Sequence, residues 1–128
     1  MEKKRIMLVD DEEDVLKTTK LILEQAGNFE VLALSNAKDI ITQLHNFKPD
    51  VILLDLLMPF IGGIEVCEML NKDSMGKQVP IIILSALSKD SDKLISYKSG
   101  AVDYIVKPID SEALIKKIEK VLRFKCQS

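Results

Sequence analysis

The feature that most constrains the fold is a regular alternation of short apolar runs with longer segments of helical periodicity. The runs are too short for buried helices, and most are rich in branched side chains, which favour strands. Five runs occur, at residues 6–9, 31–34, 51–54, 81–84 and 104–106. The segments that follow them space their apolar residues as a helix does, and several begin or end at capping residues. The pattern predicts strands alternating with helices.

Strands that are apolar along their whole length indicate a sheet covered on both faces. Alternating strands and helices also predict parallel strands joined by right-handed crossovers. We therefore expect an α/β fold of the (βα)5 type, a doubly wound parallel sheet with the flavodoxin-like strand order 2-1-3-4-5. The 128 residues have room for one such domain, so we expect residues 1–128 to form a single domain without an output domain.

Composition argues against several classes of protein. The chain has 18 basic and 20 acidic residues, and a net charge of −2 does not favour nucleic-acid or membrane-surface binding. No apolar run reaches the roughly 18 residues of a membrane span, and the N-terminus lacks the apolar core of a secretory signal. We expect a cytoplasmic protein.

Cys67 and Cys126 lack a metal-ligand spacing and are expected to be free thiols, with Cys67 buried.

A polar residue follows every apolar run. These residues are Asp10 with Asp11, then Ser35, Asp55, Ser85 and Lys107. In an open parallel sheet the carboxyl ends of the strands share one edge, and ligands bind where the strand order reverses. Strands 1, 3, 4 and 5 are neighbours in the expected order. Three carboxylates, a hydroxyl and an ammonium should therefore converge on one pocket.

The chemistry of this set is restrictive. Carboxylates a few ångströms apart repel one another unless some protonate or a hard cation lies among them, and such oxygen ligands suit Mg²⁺. Lys107 supplies the charge, and Ser85 the hydroxyl, that a phosphoryl group needs in transfer. Asp55 stands at the centre of the sheet as the candidate nucleophile. The residues favour Mg²⁺-assisted phosphoryl transfer onto Asp55.

The chain resembles the CheY-like receiver domain of two-component response regulators over essentially its whole length. The motifs that carry the resemblance are LVDDEEDV, VILLDLLMPFIGGIEV, IIILSA and GAVDYIVKPID. It implies a signalling phosphoacceptor, not a conventional enzyme, that takes phosphate from a sensor histidine kinase or a histidine phosphotransfer protein. It also implies an output domain or target protein that binds the face of helix 4, strand 5 and helix 5. A phosphorylation-dependent homodimer is possible in this family, whereas membrane or direct nucleic-acid binding is not expected.

The resemblance also assigns a role to each acid of the site. Asp55 would be the phosphorylated aspartate. Asp11 and Asp55 would bind the metal directly, together with the backbone carbonyl of Leu57, and Asp10 would hold it through water. The metal would be Mg²⁺, with Mn²⁺ as a substitute.

The remaining assignments concern the switch. Ser85 would be the switch hydroxyl, Lys107 the lysine that contacts the phosphoryl group, and Tyr104 the aromatic residue that moves on activation. The Lys107–Pro108 peptide bond would be cis, a geometry that is plausible only before proline.

Two further features bear on the signal. The positions that could hold a hydrolytic water, two residues after the phosphorylated aspartate and two after the switch hydroxyl, are Leu57 and Leu87. Neither side chain can hydrogen-bond a water, so we expect slow self-dephosphorylation.

The fourth helix has a thin apolar stripe, formed by Leu94, Ile95 and Tyr97. A stripe of this kind predicts a weakly anchored helix that can move at little cost in free energy.

Other interpretations compete with this one. Asp10 or Asp11 could simply cap the first helix, and Ser85, Tyr104 and Lys107 would each be ordinary if taken alone. A phosphohydrolase of the haloacid-dehalogenase type needs a second acid where this chain has Leu57. A flavodoxin-like nucleotide carrier needs a phosphate loop in place of the acidic segment DDEED. A docking module that has lost phosphorylation would lack an acid or the lysine, and none is missing here.

Overall fold

Parallel strands form one sheet in the computed structural model of the chain, which describes residues 2–58 and 61–127, with side chains as far as residue 124. The strands are β1 (Lys4–Val9), β2 (Phe29–Leu34), β3 (Val51–Asp55), β4 (Ile81–Ser85) and β5 (Asp103–Val106). Their order is β2-β1-β3-β4-β5, and every neighbouring pair is parallel. The expected fold and strand order are confirmed, and each strand includes its apolar run with at most a residue or two added at either end.

Helices cover both faces of the sheet. They are α1 (Glu13–Gln25), α2 (Ile40–Phe47), α3 (Gly63–Lys72), α4 (Asp90–Lys98) and α5 (Ser111–Gln127), with a short 3-10 helix at Gly76–Gln78. Successive β1 residues alternate between two cores: Leu8 packs with α1 and α5, whereas Val9 packs with α2 and α3. Burial on both faces explains why the strands are apolar throughout.

The register of the sheet aligns the strand ends. Val9 lies opposite Leu54, and Ser85 lies opposite Val106, so the residues just beyond these positions reach the same edge. The backbone N–H of Lys107 donates to the Ser85 carbonyl at 2.8 Å, which fixes where the β5 end meets the β4 end. The edge that carries the polar residues is therefore set by the pairing of the strands.

Close packing at Gly63 brings α3 against the end of β3. A Cβ atom at this position would lie 2.5 Å from the Asp55 carbonyl oxygen and 2.6 Å from the Leu56 Cα, so a larger residue would displace the backbone. The N–H of Gly63 also donates to the Leu56 carbonyl at 2.9 Å. The absence of a side chain at Gly63 thus lets α3 start directly behind the loop that follows Asp55.

The fourth helix buries little apolar surface, in line with the weak anchoring expected from its thin apolar stripe. Leu94, Ile95 and Tyr97 are exposed by 54%, 50% and 45%, and Ser96 is the residue that α4 buries. The Ser96 hydroxyl donates to the Asp92 carbonyl of its own helix at 2.9 Å, which satisfies it inside the protein. Because α4 precedes the edge strand β5, it has less sheet to cover than a helix over the centre. The apolar stripe faces outward instead of anchoring the helix.

Other expectations can be compared with the described residues. Cys67 is fully buried, and burial raises the pKa of its thiol to about 12, as suits an unreactive side chain. The side chain of Cys126 lies outside the described residues. In the part of the chain that the structure describes, every helix is too short or too polar to traverse a bilayer.

Candidate functional site

Three carboxylates meet at the carboxyl edge of the sheet, beyond β1 and β3. Asp10, Asp11 and Asp55 each present an oxygen, and these oxygens all lie within 4.8 Å of one another. Asp10 is fully buried and Asp55 is 3% exposed. The β1–β3 pairing produces this proximity, because it places the residues after Val9 beside the last residue of β3. The predicted convergence of the acids is present in the structure.

The three acids differ in their protein partners. Both oxygens of Asp10 are engaged: Oδ1 accepts from the Glu12 N–H at 2.9 Å, and Oδ2 accepts from the Lys107 ammonium at 2.7 Å. Asp55 Oδ1 accepts from the Leu57 N–H at 3.2 Å. Asp11 Oδ1, in contrast, is buried and has no hydrogen-bond partner among the described residues. A buried carboxylate oxygen of this kind calls for a partner.

This donor set fits a hard divalent cation. Carboxylate oxygens are the ligands that Mg²⁺ prefers, and the unpartnered oxygen of Asp11 is available to bind one directly. Asp10 is already occupied by protein donors on both oxygens, so a contact through water suits it better than direct ligation. The cluster therefore has the composition of a magnesium site.

Burial and repulsion make Asp55 unusually hard to ionise. Burial is the main cause that raises its pKa, from 3.8 to about 6. The hydrogen bond from the Leu57 N–H lowers the pKa, the negative charge of Asp10 raises it, and the positive charge of Lys107 lowers it. A positive charge close to the cluster favours the ionised form, which is the form that can act as a nucleophile.

Lys107 extends from the end of β5 into this cluster. Its ammonium nitrogen lies 2.7 Å from Asp10 Oδ2, 2.9 Å from Glu12 Oε1 and 3.5 Å from Asp55 Oδ2. Burial lowers the pKa of Lys107, but the hydrogen bonds to Asp10 and Glu12, together with the negative charges of Asp55 and Asp10, raise it overall. The ammonium of Lys107 therefore stays protonated and gives the site a permanent positive charge. Its peptide bond to Pro108 is cis, the geometry that the resemblance implies.

A chain of hydrogen bonds joins the end of β4 to β5. Ser85 is fully buried, and its Oγ accepts from the Leu87 N–H at 3.2 Å. The Leu87 carbonyl accepts from the Tyr104 hydroxyl at 2.7 Å. The Tyr104 ring is 5% exposed, and burial is the main cause that raises the pKa of its hydroxyl. The residues named from the sequence as a switch are thus linked through the backbone of Leu87.

The two leucines expected to control hydrolysis differ in exposure. Leu57 is 53% exposed beside the site, whereas Leu87 is partly buried and packs against the α2 and α3 core. Ser35, which follows β2 at the edge of the sheet opposite β5, is exposed.

Sequence reasoning missed one member of the site, Glu12, whose contact with Lys107 joins residues 95 positions apart. The run DDEED was the available signal, but it identifies neither the acid that turns inward nor its partner.

Comparison with known proteins gives a consistent result. A family model described as "Response regulator receiver domain" matches residues 6–119. Protein PilH of Pseudomonas aeruginosa is 36% identical over 118 residues, which cover 92% of this chain and 97% of PilH. The phosphate regulon transcriptional regulatory protein PhoB of the same organism is 36% identical over 120 residues, covering 94% of this chain and 52% of PhoB. The chain spans about half the length of several curated relatives that it matches.

Solved structures agree with the sequence comparison. A CheY-like response regulator receiver domain protein from Methanospirillum hungatei superimposes with a TM-score of 0.89 at 29% identity, and the match covers 98% of both chains. Accepting a phosphoryl group is a role general to such domains, which serve in signalling. The fold, the acidic cluster and the family match together show that this chain belongs to the receiver-domain family of response regulators.

Proposed function

We propose that Asp55 accepts a phosphoryl group from a sensor histidine kinase or a histidine phosphotransfer protein, in a Mg²⁺-assisted reaction in the cytoplasm. The observation that carries this proposal is the position of Asp55. Its carboxylate is buried at the end of the central strand β3, within the acidic cluster and 3.5 Å from the Lys107 ammonium. A carboxylate placed among a lysine and metal-binding acids is suited to attack phosphorus.

The transfer exchanges one bond to phosphorus for another. An Asp55 carboxylate oxygen forms a bond to phosphorus, while the bond from phosphorus to the donor's imidazole nitrogen breaks. The imidazole leaves with the electron pair of that bond. The Lys107 ammonium neutralises the charge of the phosphoryl oxygens, and the Ser85 hydroxyl becomes their hydrogen-bond donor.

The metal site belongs to the same proposal. Asp11 and Asp55 would bind Mg²⁺, or Mn²⁺ in its place, together with the Leu57 carbonyl, and Asp10 would act through water. When bound, the ion supplies positive charge that offsets the repulsion between the carboxylates and the phosphoryl group. The unpartnered Asp11 Oδ1 supports this assignment.

We further infer that phosphorylation alters the face formed by α4, β5 and α5. Attraction of Ser85 to the phosphoryl group would draw in the loop after β4 and disturb the hydrogen bond between the Leu87 carbonyl and Tyr104. Tyr104 could then change position beneath α4. The exposed apolar side chains of α4 offer this face to a target protein, an output domain or a second copy of the chain.

Intact-protein mass spectrometry tests the phosphoacceptor role. The parent protein is incubated with acetyl phosphate, with Mg²⁺ or with EDTA, and quenched in acid. We expect the mass of the parent to increase by one phosphoryl group when Mg²⁺ is present, and not when EDTA replaces it. Asp55→Asn should show no increase. The control Asp14→Asn, whose side chain is exposed in the first turn of α1, should be labelled like the parent. An unlabelled parent, or equal labelling of Asp55→Asn, would contradict the proposal.

A further inference from the structure

The contacts of Lys107 point to an additional residue that controls the site. A lysine ammonium has three donors, and its shortest contacts here are with Asp10 at 2.7 Å and Glu12 at 2.9 Å. The 3.5 Å distance to Asp55 is long for a hydrogen bond. Lys107 thus lies closer to the two acids that follow β1 than to Asp55, the proposed phosphoryl acceptor.

The side chain of Glu12 has no other described role. Glu12 occupies the N-cap position of α1 but makes no side-chain capping hydrogen bond there. The backbone N–H of Glu12 donates to Asp10 Oδ1, and the side-chain carboxylate of Glu12 turns toward Lys107. The side chain is 59% exposed, whereas the Lys107 side chain is 11% exposed. Glu12 therefore reaches the buried lysine from the rim of the pocket.

We propose that Glu12 is a positioning residue that restrains Lys107 in the resting state, and that it releases the lysine when the phosphoryl group arrives. The inference rests on the proposed function of Asp55. In the phosphorylated site, the oxygens of the phosphoryl group can accept hydrogen bonds from two N–H donors of Lys107: the one not used by Asp10 or Glu12, and the one now directed at Glu12. A lysine that lies near Asp55 makes these bonds better than one held at Glu12. The restraint opposes phosphorylation.

The burial of the two partners determines which contact gives way. Asp10 is fully buried, so losing Lys107 would leave a buried charge without its cation, which is strongly unfavourable. Glu12 is largely exposed, and water can solvate its carboxylate once Lys107 departs. Release from Glu12 is therefore the easier change, and Asp10 remains the pivot about which the ammonium turns.

Removing the restraint should make phosphorylation faster. Glu12→Gln keeps the length of the side chain and removes its charge, and Glu12→Ala removes the contact altogether. Exposed ion pairs are weak, so we expect the rate of Asp55 phosphorylation to rise about two- to fivefold, with Ala at the upper end. A variant that merely damaged the site would lower the rate.

The test measures two quantities in the full chain. The first is the rate of phosphorylation by acetyl phosphate with Mg²⁺, followed by mass spectrometry. The second is the affinity for beryllium fluoride with Mg²⁺, which places a phosphoryl mimic on Asp55 without a leaving group. The control is Glu13→Gln, which removes the same charge from the neighbouring exposed position, outside the ion pairs of Lys107.

The outcomes separate the inference from the function on which it rests. A two- to fivefold gain in both rate and affinity in the Glu12 variants, with Glu13→Gln close to the parent, supports the restraint. Unchanged or lower values in the Glu12 variants, or an equal gain in Glu13→Gln, would overturn it while the phosphoacceptor role stands. Failure of the parent to accept phosphate would overturn both.

Discussion

Helices α3 and α4 follow the two strands that carry Asp55 and Ser85, and they are attached to the sheet in very different ways. α3 has 10 residues and buries Val66, Cys67 and Leu70 in the core. α4 has 9 residues, buries Ser96, and exposes its large apolar side chains by about half. Helices of similar length on neighbouring strands thus differ in how much apolar surface holds them in place.

The difference shows where a signal can travel. Moving α3 would disrupt buried apolar contacts and the tight approach at Gly63, so the structure behind Asp55 should stay fixed. Moving α4 would disturb few buried contacts. The hydrogen bonds that join Ser85, Leu87 and Tyr104 connect the end of β4 with the loop before α4 and with β5. The proposed acceptor Asp55 is therefore backed by a firmly packed helix, whereas Ser85 precedes a helix that is easier to move.

The largest expected effect comes from making the same substitution in each helix. Leu70 in α3 is fully buried, so Leu70→Ala should lower the free energy of unfolding by about 2–5 kcal/mol. Leu94 in α4 is 54% exposed, so Leu94→Ala should change it by less than about 0.5 kcal/mol. Urea unfolding followed by circular dichroism measures both. Similar losses in the two variants would mean that α4 is anchored as firmly as α3.

A smaller effect concerns the leucines that stand before these helices, Leu57 ahead of α3 and Leu87 ahead of α4. If neither can align a water for hydrolysis, the double variant Leu57→Asn with Leu87→Glu should lose phosphate about three- to tenfold faster than the parent. Loss of phosphate is followed by mass spectrometry after the donor is removed. The single variants show which loop dominates.

The lifetime experiment has a clear negative result. A parent that loses phosphate as fast as the double variant would show that these leucines do not govern the water. The phosphoacceptor role proposed for Asp55 would be unaffected by that result, since it depends on labelling and not on decay.

Much of the fold could be predicted because burial on both faces leaves a simple trace in sequence. Each strand is a short apolar run that ends at a polar residue, and parallel pairing brings those residues to one edge. The convergence of Asp10, Asp11 and Asp55 could be predicted from this rule alone, whereas that of Glu12 could not. The roles proposed for Ser85 and Tyr104 needed the family resemblance, since a serine at the end of a strand and a tyrosine within one are both common.

Other features depend on three-dimensional contacts that sequence does not encode locally. The apolar residues of α4 do not reveal that they face outward, because that depends on its place beside the edge strand. The 3-10 helix at Gly76–Gln78 lies in a polar segment whose sequence predicts a loop. The reach of Glu12 to Lys107 joins the two ends of the chain, and no local pattern distinguishes Glu12 from Glu13.

The most direct test of the central claim is amide hydrogen exchange with and without phosphorylation of Asp55. The parent and Asp55→Asn are each compared before and after incubation with acetyl phosphate and Mg²⁺. We expect slower exchange across residues 86–98, the loop after β4 and α4, with little change in α3 and none in Asp55→Asn. Unchanged exchange in residues 86–98 of a phosphorylated parent, or an equal change in α3, would contradict the claim that Asp55 controls α4.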